Sequence, residues 1–144
     1  LFRSTSTAIV PVGYADGIHR SASGFDMEGA KHVVKPGGPV RVMTTEGPRL
    51  YRVSGRVCMD QFMLDLHGAA EKLGVHEGDT VQLFGPGRGE DYAEPTADDW
   101  GRAAGTISYE IFTCLCNRIP RLYEHATEVL PAEDLAKLDP ATIL

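Results

Sequence analysis

A tyrosine between two glycines is the first residue of this sequence whose type and position could do chemistry. Tyr14 stands in the segment Gly-Tyr-Ala-Asp-Gly, directly after the short apolar run of residues 7–12. At the end of a strand, such a side chain can project from the rim of a sheet instead of entering the core. A phenol has an ordinary pKa of about 10, so it is a useful base only where its surroundings lower that pKa. A turn tyrosine packed on the surface fits the same pattern.

Charged and polar residues interrupt the apolar pattern of a second segment, Arg56 to Gln61. Burying such groups costs free energy unless they are paired. The segment therefore holds either paired functional groups or the exposed polar positions of an edge strand. Cys58 within it is a nucleophile by residue type, but no accompanying His or Asn motif supports that role.

Small and hydroxyl-bearing residues precede a predicted helix in a third segment, residues 105–110, which reads Gly-Thr-Ile-Ser-Tyr-Glu. The N-terminus of a helix favours anions such as phosphate. Capping sequences of this kind are common, however, and Ser108 as an ordinary N-cap accounts for the same residues.

Short apolar runs separated by turns that contain glycine and proline predict the scaffold behind these segments. Strands are expected over residues 7–12, 32–35, 40–44, 49–53, 56–66, 80–84 and 121–124. The strand over 56–66 has polar residues on both faces, which allows a bulge or a bend within it. The sum is a mainly β domain, a barrel or sandwich with short helices, that occupies residues 1–144 as a single domain.

Three short helices complete the predicted pattern. Thr96, followed by acidic residues, predicts the N-cap of a helix over residues 97–104. A second helix is expected over 108–117 and a third over 133–138. The buried stripe of the second helix is expected to consist of Ile107, Ile111, Cys114 and Leu115.

Composition and charge exclude several classes of function. The chain has 144 residues and a net charge of −6 without a basic cluster, so we expect no nucleic-acid partner. Its apolar runs are too short to span a bilayer and no signal peptide opens it, so we expect no membrane partner. Three cysteines without a framework spacing indicate reduced thiols and a cytoplasmic protein, and five scattered histidines predict no metal site. Because the chain begins at Leu1, inside a connection into a strand, we interpret it as a piece of a longer protein.

The three segments, in this order, closely resemble the bacterial alanine racemases. The resemblance rests on Val-Pro-Val-Gly-Tyr-Ala-Asp-Gly, Gly-Arg-Val-Cys-Met-Asp-Gln and Gly-Thr-Ile-Ser-Tyr-Glu, with Gly78-Asp79, Leu83-Phe84-Gly85 and Asn117-Arg118-Ile119-Pro120-Arg121. It covers roughly residues 7–124, whereas residues 18–38 and the tail beyond about residue 127 are less similar. The resemblance implies a closed, Greek-key-like β-barrel with short helices, the C-terminal domain of the family.

The family pairs this domain with an N-terminal (β/α) barrel, which is absent from the sequence. The resemblance implies that a lysine of the barrel forms the Schiff base with pyridoxal 5'-phosphate and acts as one base. Tyr14 matches the second base, which acts in the active site of the other subunit of a homodimer, on the opposite face of the substrate. Such an enzyme interconverts L-alanine and D-alanine for peptidoglycan, and the cofactor is the electron sink.

Five further positions take roles by the same resemblance. Met59 matches a residue whose backbone N–H contacts the substrate carboxylate, and its neighbours Cys58 and Asp60 match residues that line the same entrance. Arg56 matches an arginine of the substrate corridor, and Tyr109 matches the tyrosine near the cofactor phosphate.

None of the lysines has the sequence context of the family's cofactor lysine. Lys31, Lys35, Lys72 and Lys137 lie in variable or terminal stretches. We therefore expect the chain by itself to be inactive and to bind pyridoxal phosphate weakly. Two alternatives stay open. One is a broad-specificity amino-acid racemase of the same fold, because pocket residues of the absent barrel decide specificity. The other is a non-catalytic binding or assembly module.

Overall fold

The computed structural model describes residues 4–27, 33–88 and 94–144. Its strands are β1 (Thr7–Val10), β2 (Phe25–Met27), β3 (Val33–Lys35), β4 (Pro39–Thr44), β5 (Gly47–Ser54), β6 (Phe62–Asp65) and β7 (Val81–Gln82). Its α-helices are α1 (Ala97–Ala104), α2 (Ser108–Thr113), α3 (Ala126–Val129) and α4 (Ala132–Leu135). Short 3-10 helices lie at Tyr14–Asp16, Arg20–Ala22, Ala70–Leu73 and Pro140–Thr142.

Five of the strands form one antiparallel sheet in the order β1-β6-β5-β4-β7. Val10 faces Phe62 where β1 pairs with β6, and Val53 faces Leu64 where β5 pairs with β6. The sheet curls into a half-barrel, and β2 and β3 form a separate hairpin. The prediction of a mainly β, barrel-like domain with short helices is therefore confirmed.

The core lies on the inner face of this sheet, where side chains of alternate residues point inward. Phe62 and Leu64 of β6 are buried while Met63 between them is exposed. Trp100 of α1 covers this face: its ring centroid lies 6.3 Å from that of Phe62, and its indole N–H donates to the carbonyl of Leu83. A Cβ on Gly38 would lie 2.5 Å from the Trp100 ring, so only glycine lets the indole approach this closely.

The strand predicted over 56–66 is shorter than expected. Only Phe62–Asp65 pairs as a strand, and residues 58–61 form a bend that the N–H of Cys58 closes by donating to the carbonyl of Gln61 over 2.9 Å. The carbonyls of Cys58 and Met59 accept hydrogen bonds from residues 14 and 15 instead of from a neighbouring strand. The bend that the polar residues allowed is thus a full interruption of the ladder.

Helix α1 begins and ends as predicted. The Thr96 hydroxyl accepts from the Asp99 N–H, and the Asp99 carboxylate accepts from the Thr96 N–H, which satisfies two donors that a helix start leaves open. Burial raises the pKa of Asp99, but hydrogen bonds from Thr96 and Arg102 outweigh it, and the pKa lies below its ordinary value. Gly105 ends the helix in the left-handed conformation.

Helix α2 differs from its prediction at both ends. It stops at Thr113, and its N-cap position is Ile107 rather than Ser108, without a side-chain cap. Of the predicted stripe, Ile111 is buried and Leu115 partly so, whereas Cys114 is exposed and Ile107 is 64% exposed. The helix stops early because the chain turns to place Cys116 against the carbonyl of Asp16.

Several short elements also differ from their predicted bounds. The predicted strand 121–124 is a single bridge between Tyr123 and Ile143, and the tail contains α3 in addition to the expected α4. Strand β2 was not predicted, and residues 28–32 lie outside the described ranges. No helix in the part of the chain that the structure describes combines the length and the apolarity needed to cross a bilayer.

A buried carboxylate joins β7 to the segment that enters α1. Glu94 accepts hydrogen bonds from the Gln82 side chain and from the Arg88 N–H, each over 2.8 Å, and the Arg41 guanidinium lies 3.8 Å away. The hydrogen bond from the Arg88 backbone, followed by that from Gln82, holds the pKa of Glu94 below its ordinary value of 4.5, although burial opposes this. The ionised carboxylate is therefore the form that the fold stabilises.

We expect Glu94→Gln to lower the urea midpoint of unfolding at pH 7, because the amide cannot accept both hydrogen bonds. Since folding lowers the pKa of Glu94, the carboxylate stabilises the fold above the unfolded pKa of 4.5, and this stabilisation is lost as pH falls through the folded pKa. The difference from the wild type should therefore narrow at pH 3. Glu124→Gln, at an exposed position, is the control. A difference that stays the same at both pH values would contradict this account.

Candidate functional site

Tyr14 begins a 3-10 helix that follows β1, and its loop is docked on the bend at residues 58–61. The N–H groups of Tyr14 and Ala15 donate to the carbonyls of Cys58 and Met59, each over 3.0 Å. The side chain of Tyr14 is 43% exposed, and no described residue forms a hydrogen bond with its hydroxyl. We call residues 13–17 the tyrosine loop. Its backbone is fixed while its phenol faces the solvent.

The tyrosine loop is held this closely because it begins and ends with glycine. A Cβ on Gly13 would lie 2.4 Å from the carbonyl oxygens of both Cys58 and Met59. Gly17 has a φ of +107°, which disfavours any other residue, and a Cβ there would lie 2.1 Å from the Cys114 oxygen. The two glycines therefore let the loop contact the bend on one side and the end of α2 on the other.

A buried carboxylate and one guanidinium join the tyrosine loop to the bend. Asp16, only 6% exposed, accepts a hydrogen bond from the Gly13 N–H over 2.8 Å, and its other oxygen lies 3.3 Å from Nε of Arg118. Nη2 of the same guanidinium donates to Asp60 over 2.7 Å. The hydrogen bond to Asp60 and then the charge of Asp16 raise the pKa of Arg118, so the guanidinium stays charged.

The segment that follows α2 contacts the tyrosine loop independently of this guanidinium. The Cys116 N–H donates to the carbonyl of Asp16 over 3.2 Å, and its thiol donates to the carbonyl of Ala15 over 3.0 Å. On the same side, Nε2 of His19 lies 3.7 Å from both the Cys114 sulfur and a carboxylate oxygen of Glu110. Among the described residues, no group of three His, Cys, Asp or Glu side chains is arranged to hold a metal ion.

The structure brings most of the predicted site residues to one rim of the half-barrel. Cys58, Met59 and Asp60 lie on the bend beneath Tyr14, and all are exposed. Met59 is 52% exposed, and no described residue accepts a hydrogen bond from its N–H. The N–H of Met59 therefore lacks a protein partner within the described ranges.

The other two predicted residues lie outside the bend. Arg56 is exposed two residues before it, where its carbonyl accepts a hydrogen bond from the Cys58 thiol over 3.7 Å. Tyr109 lies in the first turn of α2 and is 77% exposed; within the described ranges no hydrogen bond links its side chain to the tyrosine loop. The bend and α2 thus present separate groups to the solvent.

Asp16 and Arg118 are site residues that the sequence did not single out. Asp16 has the pattern of an ordinary Asp-Gly turn residue, and Arg118 that of a cation at a helix C-terminus. Nothing in their spacing indicates an ion pair, because they meet only through the fold. The signal that could have found them is their place inside the two matched segments, Gly-Tyr-Ala-Asp-Gly and Asn-Arg-Ile-Pro-Arg.

Fold and site together define a β domain that presents polar groups on an exposed rim. Comparison with known proteins gives the family. The family model described as "Alanine racemase, C-terminal domain" matches residues 1–123, and the chain belongs to this family. The resemblance noted in the sequence is thereby confirmed.

Curated relatives and solved structures agree with this assignment. The chain is 48% identical over 120 residues to an alanine racemase of Beutenbergia cavernae, covering 83% of the chain and 26% of the relative. It is 45% identical over 125 residues to one of Mycobacterium tuberculosis, covering 86% and 27%. The Streptomyces coelicolor A3(2) alanine racemase structure matches with a TM-score of 0.57 at 43% identity, covering 83% and 25%. The biosynthetic alanine racemase of Pseudomonas aeruginosa gives 0.61 at 30% identity, covering 84% and 26%. The chain spans about a quarter of the length of these relatives.

We expect Gly13→Ala to destabilise the domain by about 1–3 kcal/mol, because the added Cβ forces the tyrosine loop away from two backbone carbonyls that cannot yield cheaply. Urea denaturation measures the change. Gly68→Ala is the matched control, since a Cβ there meets only Leu73 at an ordinary contact distance of 3.4 Å. If both substitutions lowered the free energy of unfolding equally, the close approach of Gly13 to the two carbonyls would not be what makes its substitution destabilising.

Proposed function

We propose that this chain is the C-terminal domain of an alanine racemase, which interconverts L-alanine and D-alanine with pyridoxal 5'-phosphate in the cytoplasm and supplies D-alanine for peptidoglycan. The relatives that it matches carry the name alanine racemase, and the match covers only about a quarter of their length. The observation that carries the proposal is the exposed phenol of Tyr14 on a backbone fixed against the bend. A reacting group needs this combination of access and fixed position.

Tyr14 is the proton carrier in this proposal. Its hydroxyl exchanges a proton with Cα of the substrate on one face, and a lysine from another part of the longer protein does so on the other face. Removal on one face and delivery on the other inverts the configuration. Because the tyrosine loop lies on the exposed rim, Tyr14 can enter an active site formed by the partner subunit of a homodimer.

The bend beneath Tyr14 is proposed to bind the substrate carboxylate. The unpaired N–H of Met59 is the donor, since an anion is stabilised by a backbone N–H that has no other partner. Cys58 and Asp60 line the entrance beside it, and Arg56 lies on the corridor by which the amino acid arrives. All three are exposed on the same stretch of backbone.

The described residues fit only part of a pyridoxal phosphate site. Tyr109, exposed on the first turn of α2, is a suitable hydroxyl donor for the cofactor phosphate. The described lysines do not fit its covalent attachment: Lys35 donates to the carbonyl of Ser21, Lys137 pairs with Asp134, and Lys72 lies in the 3-10 helix after β6. When bound, the cofactor supplies an electron sink for the bond that breaks at Cα.

We expect Tyr14→Phe to lower the turnover of the complete enzyme by about 10²–10⁴-fold, because the ring stays while the proton carrier is lost. Cofactor binding should barely change. The α-deuterium isotope effect should rise more for L-alanine, the enantiomer whose proton Tyr14 is proposed to remove, than for D-alanine. Tyr123→Phe, which removes a hydroxyl at the start of the tail, is the matched control. Wild-type turnover in Tyr14→Phe would remove Tyr14 from the catalytic residues.

We expect the 144-residue chain alone to racemise alanine no faster than free pyridoxal phosphate, because none of its described lysines fits the attachment of the cofactor. The measurement is D-alanine formed from L-alanine with cofactor added. Turnover well above that of the free cofactor would contradict the assignment as one domain of a larger enzyme.

A further inference from the structure

We infer that Arg118 is a positioning residue for racemisation: its guanidinium fixes the phenol of Tyr14 relative to the N–H of Met59 by joining the two loops that carry them. The inference rests on the proposed function for the identity of the reacting groups. The connection between the tyrosine loop and the bend, which we call the joint, rests on geometry alone. One planar guanidinium contacts Asp16 of the tyrosine loop and Asp60 of the bend.

The two contacts use different nitrogens of the guanidinium. Nε lies 3.3 Å from Asp16 and Nη2 lies 2.7 Å from Asp60. Because the nitrogens of a guanidinium are held in one plane, the direction of one carboxylate determines the direction of the other. A lysine, with a single rotatable charge, can satisfy the charges but cannot define this angle.

Asp16 transmits the contact to the start of the 3-10 helix that carries Tyr14. One of its oxygens faces Arg118 while the other accepts from the Gly13 N–H over 2.8 Å. The carboxylate is buried, so it has few other orientations. Asp60, in contrast, has a largely exposed side chain, and exposed ion pairs contribute little to stability. Loss of the hydrogen bond to Asp60 should therefore shift the position of the tyrosine loop more than it lowers the stability of the fold.

Arg118 also balances charge at the proposed carboxylate site. Asp60 follows Met59 directly, so its negative charge lies beside the N–H proposed to bind an anion. The guanidinium on Asp60 offsets this repulsion. Removing the guanidinium should therefore weaken substrate binding as well as displace the base, and these two effects can be separated.

The test is steady-state kinetics of the cofactor-loaded complete enzyme with both enantiomers. Arg118→Met should raise KM and lower kcat, each on the order of tenfold. Because the enantiomers have equal free energies, kcat/KM must fall equally in both directions; the α-deuterium isotope effect should rise more with L-alanine. Adding Asp60→Asn to Arg118→Met should return KM toward the wild type and leave kcat low. Arg118→Lys should likewise recover KM but not kcat.

Hydrogen exchange of the same enzymes gives a readout that does not depend on activity. In Arg118→Met and in Asp60→Asn, the peptide containing residues 13–17 should exchange faster, while the β4–β5 peptide keeps its wild-type rate and shows that the fold is intact. Lys137→Met, which removes an exposed ion pair with Asp134, is the control and should change neither the exchange of residues 13–17 nor that of the β4–β5 peptide.

Wild-type exchange at residues 13–17 in Arg118→Met, or an unchanged kcat, overturns the inference. So does recovery of kcat in Arg118→Lys, because charge alone would then suffice. A fully active Tyr14→Phe enzyme would instead overturn the proposed function, and faster exchange in Arg118→Met would still establish the joint between the loops.

Discussion

The docking of a short backbone segment on two carbonyls is the constraint on which the rest of this structure depends. Tyr14 and Ala15 donate to Cys58 and Met59, and the absence of a side chain on Gly13 is what permits the approach. Those carbonyls are withdrawn from the sheet, so the ladder is interrupted before β6 begins. The same contact that keeps residues 58–61 out of the sheet thereby places the exposed phenol of Tyr14 and the N–H of Met59 on one rim.

Charge holds the docked segments in a particular orientation. A carboxylate as buried as Asp16 is costly unless it is hydrogen-bonded and paired. It has both partners, the Gly13 N–H and Arg118, and the guanidinium is shared with the exposed Asp60. An apolar residue could fill the space of Asp16 but could not orient the start of a 3-10 helix. The ion pair thus orients the start of the 3-10 helix, whereas an apolar contact would only bury surface.

The sequence predicts the features of this fold that depend on interactions between residues close together in the chain. Strands with one buried face, such as β4 and β6, and the capped helix α1 were predictable, because periodicity and caps act over a few residues. A bend within the strand over 56–66 was allowed by the polar residues on both of its faces. That it interrupts the strand at 58–61, and that α2 ends early, was not predictable, because distant backbone groups use the hydrogen-bonding atoms of these segments. Tyr14 was proposed as a base from the resemblance, because its position in the sequence alone also fits a surface turn. Arg118 was missed because its partner Asp60 is 58 positions away.

The core of this domain stabilises the fold, and its rim carries the proposed reacting groups. Phe62, Leu64 and Trp100 are buried within the chain itself, so the half-barrel is stabilised by contacts that do not involve the proposed reacting groups. Those groups are exposed, and the substitution of an exposed side chain usually changes the stability of a protein little. Among the described residues, Gly13 and Asp16 of the tyrosine loop combine the two requirements, because both are buried and both also orient Tyr14. A domain organised in this way can supply a base to a site completed by another domain, because its own fold does not depend on the substrate that the base serves.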